Sequence, residues 1–194
     1  MIRESYSPLC TSPLKPGARL AQSAPSARRV RLDARATEVM TDLDVVPAAT
    51  IGPERSIDEA NAQMIQRGVR LLIVLDGELV IVGLLTATDL LGEKPVRFLT
   101  ERGVKRAEVR VADIMTPASQ IETLSMQEVT HAQVGHIVAS LKESGRQHAL
   151  VAEPGGRRVR GIFSATQIAR QLGVQLQTTE VAKTFAEIEA ALLH

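Results

Sequence analysis

The chain has 194 residues, 44% of them apolar, with 23 basic against 22 acidic side chains and a net charge of +1. That suffices for one ordinary core or two small ones packed together, and it is too nearly neutral for a global field that gathers nucleic acid or an anionic membrane. The single cysteine, Cys10, excludes an internal disulfide and a cysteine-rich metal centre and suits a reducing compartment.

Residues 1–35 carry seven bases, among them Arg28, Arg29, Arg31 and Arg35, against Glu4 and Asp33. Pro8, Pro13, Pro16 and Pro25 interrupt the stretch, and no apolar run long enough for a secretory signal occurs, which predicts a cytoplasmic protein. The segment reads as a solvated tail or an arm laid across a partner subunit. Contact with nucleic acid is the alternative, and it lacks the aromatic interleaving such surfaces use.

After Glu38-Val39-Met40-Thr41 comes an apolar stretch, Val45 to Ile51, and then Ile57, Ala60, Met64 and Ile65 at the three-to-four spacing of a helix that ends at Gly68. Leu71 to Leu91 is almost wholly apolar and nearly the length of a membrane span, but Asp76-Gly77-Glu78 divides it. Two charges in mid-bilayer are costly and Asp-Gly between aliphatic runs signals a hairpin, so the sequence predicts strands at Leu71–Leu75 and Leu79–Leu85. Glu93 to Arg110 is charged and predicts a connector with a short helix near Val96–Glu101.

The same signals then return. Asp113-Ile114-Met115-Thr116 repeats the opening tetrapeptide 75 residues on. Val134, Ile137, Val138 and Leu141 repeat the helix, Gly145 its stop, and Ala149-Leu150-Val151-Ala152 the strand. After Glu153-Pro154-Gly155-Gly156, the run Gly161-Ile162-Phe163-Ser164-Ala165-Thr166-Gln167 matches Gly83-Leu84-Leu85-Thr86-Ala87-Thr88-Asp89. Each unit reads helix, strand, strand, helix. From Thr179, the residues Val181, Phe185, Ile188 and Leu192 form an amphipathic stripe that packs on the module's own core or on a second subunit.

These paired signals resemble the CBS domain, two of which associate as a Bateman module. The resemblance covers about residues 36 to 175. It implies an α/β fold in which two repeats pair through their sheets, and a homodimer shaped as a flat disc. The expected organisation is an arm at 1–35, repeat 1 at 36–92, a connector at 93–110, repeat 2 at 111–175 and a C-terminal amphipathic helix at 176–194. It further implies clefts near the strand ends that take AMP, ADP, ATP or S-adenosylmethionine as a regulatory ligand, not a catalytic cofactor, with an unidentified regulated protein as partner.

Thr86-x-x-Asp89 is first of all a capping box that starts a helix, and Ser164-x-x-Gln167 has the same spacing. An ionised carboxylate there also suits the two hydroxyls of a ribose, with the Thr86 and Thr88 hydroxyls and a helix start beside it for phosphate. The resemblance adds Arg70 toward phosphate, and Thr50 is the only side-chain donor of the Val45–Ile51 wall. A weaker second site comprises His148, Ser164, Thr166 and Gln167, since a neutral amide accepts a diol less well. The expectation is one principal site, with Asp89→Ala weakening binding far more than Gln167→Ala.

No His-Glu-x-x-His, Gly-x-Ser-x-Gly, Walker loop or Gly-x-Gly-x-x-Gly occurs, so catalysis is not expected. His131 and His136 are five apart, off one helical face, and predict no metal site. The rival to a sensor is a ligand-free scaffold in which the duplicated fold dimerises and presents surfaces.

Overall fold

The computed structural model describes residues 29–174 together with Ala186 and Ile188. In chain order the first half gives strands β1 (Thr41–Asp42) and β2 (Thr50–Ile51), helix α1 (Ile57–Arg67), strands β3 (Leu71–Leu75) and β4 (Ile81–Thr86), and helices α2 (Ala87–Leu91) and α3 (Glu93–Arg102). The second half gives α4 (Val111–Ile114), β5 (Thr116–Pro117), β6 (Thr123–Ser125), α5 (Met126–Val129), α6 (Val134–Ser144), β7 (His148–Ala152), β8 (Val159–Ser164) and α7 (Ala165–Gln171). Two four-stranded sheets result, ordered β2-β3-β4-β5 and β1-β8-β7-β6. The helix-strand-strand-helix order of each copy is as the sequence predicts. The four flanking strands are too short to show a period in sequence. No helix among the described residues is long and apolar enough to cross a membrane.

Local chemistry sets the element ends. Ser56 and Glu59 close a capping box on α1, the Glu59 N–H donating to Ser56 Oγ at 3.2 Å and the Ser56 N–H to Glu59 Oε2 at 2.9 Å. Both long helices end on a left-handed glycine, Gly68 at φ 64° and Gly145 at φ 63°, where a Cβ would be strained. Ile57, Ala60 and Met64 face the core as predicted, but Ile65 is 73% exposed, because it falls on the edge of the apolar stripe that points away from β3. The hairpin turn also differs from the Asp-Gly expectation. Leu79, not Gly77, takes the positive φ of 63°, and Asp76 Oδ1 accepts from the Glu78 and Val80 N–H groups, so the carboxylate organises a longer loop and β4 begins at Ile81.

Each folded unit borrows its opening segment from the other copy. β1 pairs antiparallel with β8, Thr41 opposite Ile162, while β5 pairs with β4, Thr116 opposite Leu84. Ala36 and Val39 therefore lie in the core of Val134, Ile137, Leu141, Val151 and Phe163, and Val111 and Ile114 lie in that of Ile57, Leu72, Val74 and Leu85. The methionines of the tetrapeptides lie over the glycines of the central strands. A Cβ on Gly83 would stand 2.5 Å from Met115 Sδ and 2.8 Å from the Thr116 carbonyl oxygen, and one on Gly161 would strike the Met40 side chain.

α3 is longer than the predicted Val96–Glu101 helix, since Pro95 sits in its first turn, where its missing N–H has no intrahelical acceptor to lose. The segment after it is bound to the first unit, the Ile57 N–H donating to the Val109 carbonyl at 3.2 Å and the Val111 N–H to the Arg55 carbonyl at 2.9 Å. Residues 29–35 run along the second unit, with Val30 N–H donating to Gln171 O and Gly135 N–H to Leu32 O. Of the C-terminal stripe, Ile188 is buried in the second core. Val181, Phe185 and Leu192, like Cys10 and most of the basic arm, lie outside the described residues.

Candidate functional site

Hairpin register builds the site. Leu71 stands opposite Thr86 and His148 opposite Ser164, so in each unit the start of the central strand meets the strand end that carries the cap. Two cavities open along the seam between the copies, and each is walled by both. The smaller, of about 220 Å³, is lined by Thr86, Thr88 and Asp89 of copy one and by Arg146, Gln147 and His148 of copy two, with Thr116 and Glu122. The larger, of about 800 Å³, sets Ser164, Thr166 and Gln167 of copy two against Arg67, Arg70 and the 46–49 stretch of copy one, with Arg170 and Thr41. Leu71 and His148 line both.

In the smaller cavity the Asp89 carboxylate is already engaged. Its Oδ2 accepts from the Thr86 N–H at 2.8 Å and the Thr86 hydroxyl at 2.7 Å, while the Asp89 N–H donates to Thr86 Oγ1 at 3.2 Å. Lys94 Nζ lies 2.5 Å from its Oδ1 and also donates to the Ile114 carbonyl at 3.3 Å. Asp89 is 8% exposed, so both of its oxygens are satisfied within the protein. Glu122 pairs with Arg146 at 3.6 Å. The space is smaller than the several hundred Å³ of ordinary small-molecule sites.

The larger cavity falls within that ordinary range. Its apolar wall is Leu43, Val46, Pro47, Ala48, Ala49 and Ile162. An ion cluster holds this wall, because Asp42 accepts from Arg160 Nε at 2.8 Å and Nη2 at 2.7 Å, and Arg160 Nη1 reaches Asp44 at 3.0 Å. Arg158 closes the cluster by pairing with both Asp44 and Glu153. The Arg160 hydrogen bonds, and then the Asp44 N–H, hold the Asp42 carboxyl down at about 2, from an ordinary 3.8. Ser164 caps α7 only through the Gln167 N–H at 3.5 Å, and the Gln167 amide oxygen turns to the Thr41 hydroxyl at 3.4 Å. The copy-two box therefore lacks the return bond that Asp89 makes, and its strand end stays open to the cavity.

Arg70 and His148 meet at the seam. Arg70 Nε and His148 Nδ1 are buried with no hydrogen-bond partner among the described residues. Desolvation, and then the neighbouring Arg70 charge, push the imidazole down to about 4 from 6.5, so it is neutral at physiological pH. No hydrogen bond or ion pair engages the side chains of Arg67, Arg70 and Arg170 among the described residues, and no acid lines their cavity.

Thr86, Thr88 and Asp89 thus come together, as do Ser164, Thr166 and Gln167. Arg70 lies with the second group rather than with Asp89, because the cleft joins the strand end of one copy to the helix end of the other. Of the Val45–Ile51 wall, Val46, Pro47, Ala48 and Ala49 lie with the second group for the same reason. Thr50 lines neither cavity, its carbonyl accepting from Gln63 Nε2 at 2.8 Å. Sequence reasoning missed Arg67, Arg146, Arg170 and Thr116. Arg67 and Arg146 flank the helix-stop glycines Gly68 and Gly145, a position that becomes a wall only when the copies cross.

The family model of the CBS domain matches residues 36–95. The fold is similar to that of an uncharacterised conserved protein from Pyrococcus horikoshii, at 21% identity and a TM-score of 0.56, covering 77% of this chain and 100% of that one. It is also similar to CBSX2 of Arabidopsis thaliana in complex with AMP, at 21% identity and a TM-score of 0.52, covering 71% and 94%. The CBS domain pair of protein MJ0100, in complex with 5′-methylthioadenosine and S-adenosyl-L-methionine, has 21% identity and a TM-score of 0.52, covering 72% and 96%. No curated protein sequence matches the chain.

Proposed function

We propose that the protein is a regulatory module of the CBS type whose larger cleft binds an adenosine-containing ligand such as AMP, ADP, ATP or S-adenosylmethionine, a reading supported by the match of residues 36–95 to the CBS domain model and by a fold similar to that of a solved CBS domain pair. It acts by binding, not by catalysis. The carrying observation is the cavity of about 800 Å³ with an apolar wall from Leu43 to Ala49 on one side and the Ser164, Thr166 and Gln167 polar groups on the other. A purine needs the first kind of surface and a ribose the second. That two proteins of this fold hold adenosine compounds supports the reading. The preference for Asp89 as the principal ribose acceptor gives way here, since its oxygens are occupied by Thr86 and Lys94. Occupancy shifts the packing of the two copies and of a homodimer, which a regulated protein reads through a coupling of about 1–3 kcal/mol.

The test is calorimetric and thermal-shift titration with AMP, ADP, ATP and S-adenosylmethionine. A ligand at a hundred times its dissociation constant adds about 2.7 kcal/mol of stability. Ala48→Phe, which fills the larger cavity, should abolish the response, and Thr88→Ala in the smaller one should leave it. Absence of any response in the wild type overturns the reading, as does a response lost only with Thr88→Ala.

A further inference from the structure

The two cavities differ in charge more than in shape. Arg67, at the end of α1, and Arg70, before β3, face Arg170, at the end of α7, across the larger one, with no Asp or Glu on its wall. None of the three guanidinium groups is paired among the described residues, and Arg70 Nε is buried without an acceptor. A buried donor left without an acceptor is costly, and three like charges gathered round one cavity repel. The protein supplies no counter-charge, although it surrounds the nearby Arg160 with Asp42, Asp44 and Glu153. The smaller cavity has the opposite balance, with Asp89 and Glu122 against Arg146.

We propose that the larger cleft selects a nucleoside polyphosphate over a monophosphate or an uncharged adenosine compound, and that the smaller cleft rejects a second polyanion, so that one polyphosphate binds per chain. The inference rests on the adenosine-binding reading and adds the ligand's charge to it. One phosphate monoester carries a charge of at most about −2 against three guanidinium cations. A di- or triphosphate extends acceptors along the wall, and arginine forks match phosphate oxygens in pairs. His148, neutral beside Arg70, leaves the anion's place to the phosphate chain.

Titration calorimetry of the full chain with adenosine, AMP, ADP and ATP, each at two salt concentrations, tests this, with inorganic tripolyphosphate as competitor. Affinity should rise with every phosphate, by at least about tenfold from AMP to ATP, since each added phosphate accepts charge-assisted hydrogen bonds from the guanidinium groups. The gain should shrink in high salt, at a stoichiometry of one. Arg67→Gln and Arg170→Gln, both at exposed positions where folding is safe, should each flatten the ladder, and Arg70→Met should do so most, with adenosine binding kept in all three. Equal affinities for adenosine and ATP, a ladder indifferent to the arginine substitutions, or two equal ATP sites overturns the charge selection while adenosine binding stands. Tripolyphosphate binding with no adenosine compound competing overturns the nucleoside reading instead and leaves an anion site.

Discussion

Acidification probes the seam directly. His148 has a folded pKa of about 4 against an ordinary 6.5, because the ring is desolvated beside Arg70. Between these two values the unfolded chain binds a proton that the folded chain refuses, so stability is full above about pH 7 and falls as pH drops through 6.5 toward 4. At pH 5 the loss is about 2 kcal/mol, and below pH 4 it levels near 3 kcal/mol. For a chain of this size each kcal/mol moves the melting temperature about 2–4 °C, so cooling of the transition by about 4–8 °C is expected between pH 7.5 and pH 5. His148→Leu supplies the control, since leucine is what Leu71 places at the matching point of the other copy. Melting curves followed by circular dichroism across that range should show the variant losing markedly less than the wild type. At pH 7.5 it should match or exceed it, because an unpartnered buried nitrogen has been removed. Parallel profiles for the two proteins would refute the assignment of the acid sensitivity to this ring.

Three further outcomes follow from the packing. Gly83→Ala should destabilise by about 1–3 kcal/mol and Gly161→Ala by less, in chemical denaturation, because the first methyl meets the Thr116 carbonyl as well as Met115 while the second meets only the pliable Met40 side chain. Thr86→Ala should cost about 1 kcal/mol and Ser164→Ala a fraction of that, since only the first holds a reciprocal cap. Arg160→Met should leave the smaller cleft intact but speed amide exchange over residues 43–49, and equal exchange in both proteins would show the wall to be held by something else. Because Asp42 is held at about 2 against an ordinary 3.8, its share of the wild type's stability is present above the ordinary carboxylate range and is lost as pH falls from 3.8 toward 2.

The duplicated order, the helix stripes, the glycine stops and the hairpins were legible because each repeats a period or a terminator within one stretch of chain. What was not legible depends on the crossing of the copies. Met40 reads only as part of the repeated tetrapeptide until Gly161 is seen beneath it, and Arg70 reads as the neighbour of Asp89 until the crossing of the copies puts it in the cavity of Ser164. Thr86 and Asp89 were rightly recognised as a cap. The occupant of the second carboxylate oxygen, Lys94, lies five residues on, past the end of α2, where no sequence period links it to the site. The charge of the larger cleft was hidden likewise, being assembled from α1, the start of β3 and α7.

The exchanged opening segments also decide how the chain comes apart. A fragment ending near Gly103 would keep Ala36 and Val39 without the core they fill and would lack Val111 and Ile114, which complete its own. Neither half is a self-sufficient folding unit, so the two should melt in a single cooperative step, and separated halves should regain structure only when mixed. The clefts exist only in the assembled pair, which makes occupancy of either one a report on the integrity of the whole chain.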